Sequence, residues 1–136
     1  MSAKRARGIE LRVKRIYEPP SSEDGLRVLV DRLWPRGIRK DAARIDIWLK
    51  DVAPSDALRR RAHSEGVGEA FAVAYARELE AEPARSAAQG LLERVATERV
   101  TLLYASRDTE HNNAVALRAW LEAHLAKPSR RTRARR

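Results

Sequence analysis

Apolar and polar residues alternate at the start of the chain, which is the pattern of a β-strand with one buried face. Ile9, Leu11 and Val13 occupy one face and charged residues the other, so we predict a strand over 9–17. The alternation fails at Arg15, which falls on the apolar face. Either a bulge shifts the register there, or Arg15 points inward toward an anionic group.

Two short apolar runs farther along the chain predict buried strands. The runs at 26–30 and 100–105 are rich in leucine and valine, as is typical of strands that are covered on both faces. Proline and glycine residues over 18–25 predict a loop before the first run. This loop is short for a parallel crossover, so the relative direction of the first two strands stays open.

Apolar residues spaced three and four apart predict the helices. Ser55 is suited to cap a short helix, and either Asp108 or Thr109 is suited to cap the last one. Strands that alternate with helices indicate an α/β fold, here a single compact domain with a small, mainly parallel central sheet flanked by helices. The helical segments that we predict are 45–52, 56–63, 68–81, 84–97 and the stretch that follows Asp108.

The first buried run ends in charged residues. Asp31 and Arg32 follow it directly, and Pro35-Arg36-Gly37 ends it. Burying an ionised side chain is costly unless the group is paired or faces a cleft. We therefore place Asp31 and Arg32 at the carboxyl end of the strand, where open α/β sheets bind ligands.

A second group of polar residues, Arg107, Asp108, His111 and Asn112, follows the buried run at 100–105. If the two strands are parallel neighbours, both groups meet in one crevice beside a helix N-terminus, which favours anions. Because the N–H donors of a guanidinium group match the oxygens of phosphate and carboxylate, we expect an anionic small molecule there. Among anions we favour a phosphorylated one. We assign catalytic roles to Asp31, Asp108 and His111, and ligand-binding roles to Arg15, Arg32, Arg36, Arg107 and Asn112.

Each of these residues also has a structural alternative. Asp31 and Arg32 could form salt bridges with neighbouring helices, Arg36 could serve only a turn, and Asp108 could serve only as a cap. A transfer or hydrolysis reaction would suit the residues, with His111 as an acid or base. Whether the protein is an enzyme therefore stays open, and a protein-interaction domain built on an exposed tryptophan is a further alternative.

The net charge of +9 lies at the two ends of the chain. The segments 1–8 and 127–136 together hold nine basic and no acidic residues, so the intervening domain, 9–126, is formally neutral. We expect the first segment to be a basic extension and the second a disordered tail. As an alternative function, the two basic segments could bind nucleic acid together with Arg39, Lys40 and Arg44. The arginines of the tail that would take part are Arg130, Arg131, Arg133, Arg135 and Arg136.

Several classes of site lack their characteristic residues. The chain has no cysteine, which excludes disulfides and thiolate chemistry. It has three histidines without metal-ligand spacing and no glycine-rich phosphate loop, so we predict neither a metal nor a cofactor. No segment has the roughly 18 apolar residues of a membrane span, and we expect a cytoplasmic protein without membrane contact.

Several motifs identify a resemblance that covers most of the chain from 11 to 126. They are Arg15-Ile16-Tyr17, the stretch DGLRVLVDRLWPRG at 24–37, Trp48-Leu49-Lys50, Ala53-Pro54-Ser55, Phe71, Tyr75, Glu78-Leu79, Thr101-Leu102-Leu103-Tyr104, Asp108, His111 and Asn112. On these motifs the chain resembles the YeaO-like branch of domain-of-unknown-function family 488, which are small bacterial proteins. The resemblance implies a small α/β domain with a central sheet and no agreed activity.

Overall fold

A computed structural model describes residues 10–125. It contains a four-stranded parallel sheet of order β1-β4-β2-β3, with helices packed against it, so the predicted α/β class is confirmed. The basic segments 1–8 and 127–136 lie outside the described residues. The strands are β1 (Leu11–Arg15), β2 (Leu26–Leu29), β3 (Ile47–Trp48) and β4 (Val100–Tyr104), and the helices are α1 (Lys40–Ala43), α2 (Asp56–Glu65), α3 (Glu69–Leu79), α4 (Ala84–Thr97) and α5 (Asn113–Leu125).

The first strand pairs with β4 without interruption. The register runs from Leu11 opposite Val100 to Arg15 opposite Tyr104, so the bulge considered at Arg15 is wrong. The residue after it, Ile16, is buried on the face of the sheet that sequence alternation marked as polar. Both faces of the sheet are therefore covered by apolar groups.

The helical face of the sheet holds the larger core. Val28, Val30 and Leu102 are completely buried there against side chains of α3, α4 and α5. The predicted stripe of α3 is confirmed, because Phe71 and Tyr75 are buried with Leu79 in the same cluster. The predicted bounds of α4 are also those that the structure shows.

The second face is covered by the segment between β2 and β3. Leu29 and Leu103 from the sheet are fully buried under two half-buried tryptophans, Trp34 and Trp48. The prediction of helical turns over 45–52 is wrong, because this stretch forms β3 and then a 3-10 turn at Lys50–Val52. Its apolar residues alternate between the two covered faces, which produces spacings that resemble those of a helix.

A buried ionic group closes the amino edge of the sheet. Asp24 is 2% exposed and accepts hydrogen bonds from Lys14 (3.0 Å) and from the guanidinium group of Arg27. Arg27 also donates to the carbonyl groups of Ala43 (3.0 Å) and Arg44 (2.8 Å) at the end of α1. Because every charged side chain of this cluster has hydrogen-bonding partners, the cluster can remain buried. It joins β1, β2 and α1.

Two helix starts show how the polar residues before them are used. Ser55 accepts a hydrogen bond from the Leu58 amide at 3.1 Å, which confirms the predicted cap of α2. The last helix begins later than predicted, and its cap is Asn112, whose side-chain oxygen accepts from the Val115 amide at 2.9 Å. Neither Asp108 nor Thr109 caps α5, because a separate turn intervenes before the helix.

Candidate functional site

The carboxyl ends of the strands lie at one edge of the sheet because all four strands are parallel. Asp31 follows β2, and its carboxylate accepts a hydrogen bond at 2.9 Å from the amide of Ala105, which follows β4. The other carboxylate oxygen accepts from the Asn113 side chain at 3.1 Å. Asp31 therefore joins the ends of two neighbouring strands to the first turn of α5.

The surroundings of Asp31 raise the pKa of its carboxyl group. Desolvation is the largest cause, and the hydrogen bonds from Asn113 and the Ala105 amide offset it only in part. The backbone carbonyl of Asp31 is also used, because it accepts from the Trp48 indole at 2.8 Å. Both the side chain and the backbone of Asp31 therefore stabilise the carboxyl edge of the sheet.

Arg15 connects the end of β1 to the same edge. Its guanidinium group donates to the carbonyl oxygens of Ser106 (2.8 Å) and Ala105 (3.3 Å), and not to an anionic group. It also lies 4.7 Å from the centre of the Tyr17 ring, whose hydroxyl donates to the Arg36 carbonyl at 2.7 Å. The loops that follow β1, β2 and β4 are therefore in direct contact.

The loop after β4 carries the predicted residues Asp108, His111 and Asn112. The Asp108 carboxylate accepts hydrogen bonds from the amides of Glu110 and His111, both at 3.0 Å, and these bonds hold its pKa below the ordinary value. The exposed His111 ring lies 3.4 Å from the same carboxylate. Asn112 is buried and donates to the Asp108 carbonyl at 2.8 Å, so it stabilises the loop while it caps α5.

Arg32 points away from this group. Its guanidinium group donates to the carbonyl oxygens of Pro54 (3.2 Å) and Ala53 (3.4 Å), and it lies 3.9 Å from the Asp56 carboxylate. These partners precede or begin α2. The structure therefore does not bring the charged group of Arg32 together with those of Arg15 and Asp31.

Arg36 and Arg107 supply the remaining positive charge at the edge. Both residues are exposed, and neither guanidinium group makes a hydrogen bond or an ion pair with any residue between 10 and 125. Arg36 belongs to the loop that Tyr17 holds, and Arg107 follows Ser106, to which Arg15 donates. Two arginine side chains are thus available on loops whose backbones are fixed.

Two residues of this edge were not among the predicted site residues. Asn113 supports Asp31 and also donates to the Val30 carbonyl at 3.1 Å, and Tyr17 bridges Arg15 and Arg36. The pair Asn112-Asn113 could have indicated the first, because one amide suffices to cap a helix. Tyr17 was marked only by its place in the motif Arg15-Ile16-Tyr17.

Other kinds of site are not apparent in the part of the chain that the structure describes. Across 10–125, no three acidic or histidine side chains come together as ligands for a metal ion. None of the described helices has the length and apolar character needed to cross a membrane.

Comparisons with known proteins identify relatives over most of the chain. Residues 10–135 match the family described as "Inactive DUF488-N3 subclade". "Uncharacterized protein YeaO" of Escherichia coli is 39% identical over 118 residues, which are 85% of this chain and 99% of the relative. "Uncharacterized protein Rv3073c" of Mycobacterium tuberculosis is 42% identical over 112 residues, which are 82% of this chain and 92% of the relative.

No solved structure matches the chain. The family match covers far more than half of the sequence, and the bacterial relatives align over nearly their whole length. The chain therefore belongs to the inactive DUF488-N3 subclade of the DUF488 family, in its YeaO-like branch.

Proposed function

We propose that this domain binds a small anionic molecule at the carboxyl edge of its sheet. The observation that carries the proposal is the pair of exposed guanidinium groups of Arg36 and Arg107, which have no partner among residues 10–125. Their loops are held by Tyr17 and Arg15, so little backbone ordering would oppose binding. The site would be an open surface site at the end of a parallel sheet, where α/β proteins commonly bind ligands.

The chemistry of the two arginines suggests the class of ligand. A guanidinium group presents paired N–H donors that match two oxygens of a phosphate or carboxylate. The ring of His111, on the same loop as Arg107, would add a further hydrogen-bond donor to the ligand. We propose a phosphorylated small molecule, because a phosphate offers three oxygens to donors that approach from different loops.

Binding without catalysis agrees best with the arrangement of the acidic residues. The carboxylates of Asp31 and Asp108 both accept backbone amides, and these bonds give each group a structural role. The family description calls this subclade inactive, which supports the same proposal. A catalytic role for Asp31, Asp108 or His111 in transfer or hydrolysis would require turnover of a bound ester.

The alternative of an interaction domain depends on an exposed tryptophan. Trp34 and Trp48 are only half exposed, and their indole N–H groups donate to the carbonyls of Ile38 and Asp31. Neither tryptophan therefore offers a fully exposed apolar surface to a protein partner. The anion-binding proposal therefore has the stronger support.

Thermal unfolding of the full chain with inorganic phosphate and a panel of phosphate monoesters tests the proposal. A ligand present at 100 times its dissociation constant adds about 2.7 kcal/mol, which raises the melting temperature on the order of 10 °C. We expect this shift in the wild type and its loss in Arg36→Ala/Arg107→Ala. The matched control is Arg60→Ala/Arg85→Ala, which removes two exposed arginines from α2 and α4.

An equal shift in the wild type and in the Arg36→Ala/Arg107→Ala variant would contradict the assignment of the site. An absence of any shift across the panel would contradict anion binding itself. Release of phosphate from a bound ester would retain the site but contradict binding without catalysis.

A further inference from the structure

A row of two tryptophans flanked by two lysines lies on the face of the sheet opposite the long helices. The Lys40 ammonium group lies 5.6 Å from the centre of the Trp34 ring, and the Lys50 ammonium group lies 4.3 Å from the centre of the Trp48 ring. The two rings meet edge to face, with their centres 5.2 Å apart. The order along this row is lysine, tryptophan, tryptophan, lysine.

The two indole rings are held in place by their polar edges. Trp34 donates to the Ile38 carbonyl at 2.7 Å, and Trp48 donates to the Asp31 carbonyl at 2.8 Å. Both rings also pack on the buried cluster of the second face. A ligand that stacked on them would therefore meet rings that are already ordered, which lowers the entropic cost of binding.

The lysines of this row are exposed and have no ion-pair partner in the part of the chain that the structure describes. Three acidic residues occur between 33 and 51: Asp41 pairs with Arg39, Asp46 accepts the amide of Arg27, and the exposed Asp51 directly follows Lys50. Within 10–125, neither Lys40 nor Lys50 forms an ion pair. Both are exposed, so their charges are available to a partner.

We propose that the row formed by Lys40, Trp34, Trp48 and Lys50 binds single-stranded nucleic acid. The lysines would contact phosphates, and each lysine that moves onto a phosphate would uncover part of the ring face beneath it for a base. A duplex fits less well because its bases are already stacked, and α1, with 4 residues, is too short to serve as a recognition helix. The proposal goes beyond the anion site and uses none of its arginines.

Fluorescence anisotropy of the full chain with a labelled 15-nucleotide oligo-dT, measured between about 0.05 and 0.4 M salt, tests the proposal. Each phosphate contact to a single strand contributes about 0.7 to the slope of log affinity against log salt. Lys40→Gln/Lys50→Gln should therefore reduce the slope by about 1.4 and weaken binding about 25-fold at 0.1 M salt. The charge-matched control, Arg60→Gln/Arg85→Gln, should retain the wild-type slope.

Tryptophan emission should fall when oligo-dT binds to the wild type, because stacking on a base quenches an indole. Equal losses of affinity in the lysine pair and in the control pair would overturn the proposal, because binding would then follow net charge alone. Tighter binding of a 15-base-pair duplex, or equal competition by polyglutamate of the same charge, would overturn it in favour of duplex or an acidic protein. If the double variant does not fold, Lys40→Gln and Lys50→Gln alone should each lower the slope by about 0.7, and an unchanged slope in both would be contrary evidence.

Discussion

Replacing Asp31 with alanine should destabilise the protein, because this carboxylate joins the ends of β2 and β4 to α5. The change removes the acceptor of the Ala105 amide (2.9 Å) and one acceptor of the Asn113 side chain (3.1 Å). Asn113 keeps its bond to the Val30 carbonyl, so the main loss is the acceptor of the partly buried Ala105 amide. An unsatisfied donor costs about 1–3 kcal/mol, and relief of the desolvated charge returns part of this, which leaves an expected loss of about 2 kcal/mol.

Urea unfolding of the full chain at pH 7 measures this loss as a change in midpoint at a constant denaturant slope. The matched control is Asp41→Ala, an exposed aspartate paired with the exposed Arg39, which should change the free energy of unfolding by less than about 0.5 kcal/mol. An Asp31→Ala protein as stable as the control would refute the structural role that we assign to Asp31.

The pH dependence of Asp31→Asn has a definite sign. Because burial raises the pKa of Asp31 above its ordinary value, the folded protein binds this proton more tightly than the unfolded chain does. Ionisation of Asp31 therefore subtracts stability as the pH rises through the raised pKa. The advantage of the wild type over Asp31→Asn should be larger near pH 4 than at pH 7, and a difference that grows toward pH 7 would be contrary evidence.

Three other substitutions test contacts that stabilise the fold away from the carboxyl edge, again by urea unfolding. Gly25→Ala should lower the free energy of unfolding by more than about 2 kcal/mol, because Gly25 has φ +67° and a Cβ there would clash with the Arg99 carbonyl oxygen. A near-neutral effect would exclude that close approach. Asp24→Asn should cost about 3 kcal/mol at neutral pH. Desolvation would raise the pKa of Asp24, but hydrogen bonds from the Ser21 backbone, Lys14 and Arg27 outweigh it and lower that pKa. The stability that Asp24 contributes should therefore be complete above its pKa in the unfolded chain and disappear as the pH falls through its lower pKa in the folded protein. A destabilisation by Asp24→Asn that persists in strong acid would contradict this. Tyr75→Phe should cost about 1–2 kcal/mol by leaving the buried Val52 carbonyl without its donor, and an unchanged midpoint would show that this bond contributes nothing.

The sequence pattern predicted elements whose apolar residues form one stripe or a continuous buried run. The stripe on α3 and the run at β4 could be recognised because their apolar residues face one core or are wholly buried. The pattern failed at β3, where Ile47 packs toward the helices while Trp48 packs on the second face. Which of two covered faces a residue contacts is a tertiary property, and local spacing does not contain it.

The candidate site was predictable as a location but not in its contacts. Charged residues that follow buried strands indicated the carboxyl edge, where Asp31 does meet the backbone after β4. The destination of each side chain depended on carbonyl groups supplied by distant segments, such as Ala53 and Pro54 for Arg32. Sequence spacing cannot show which carbonyl oxygens a folded chain leaves without a donor.

The most direct test of anion binding at the carboxyl edge is a two-dimensional ¹⁵N–¹H NMR titration of the full chain with inorganic phosphate. We predict saturable shifts of the backbone amides of Tyr17, Arg36, Arg107 and His111, with the amides of α2 and α4 unchanged. Shifts that are absent at this edge, or that spread evenly over all basic surfaces, would contradict the proposal.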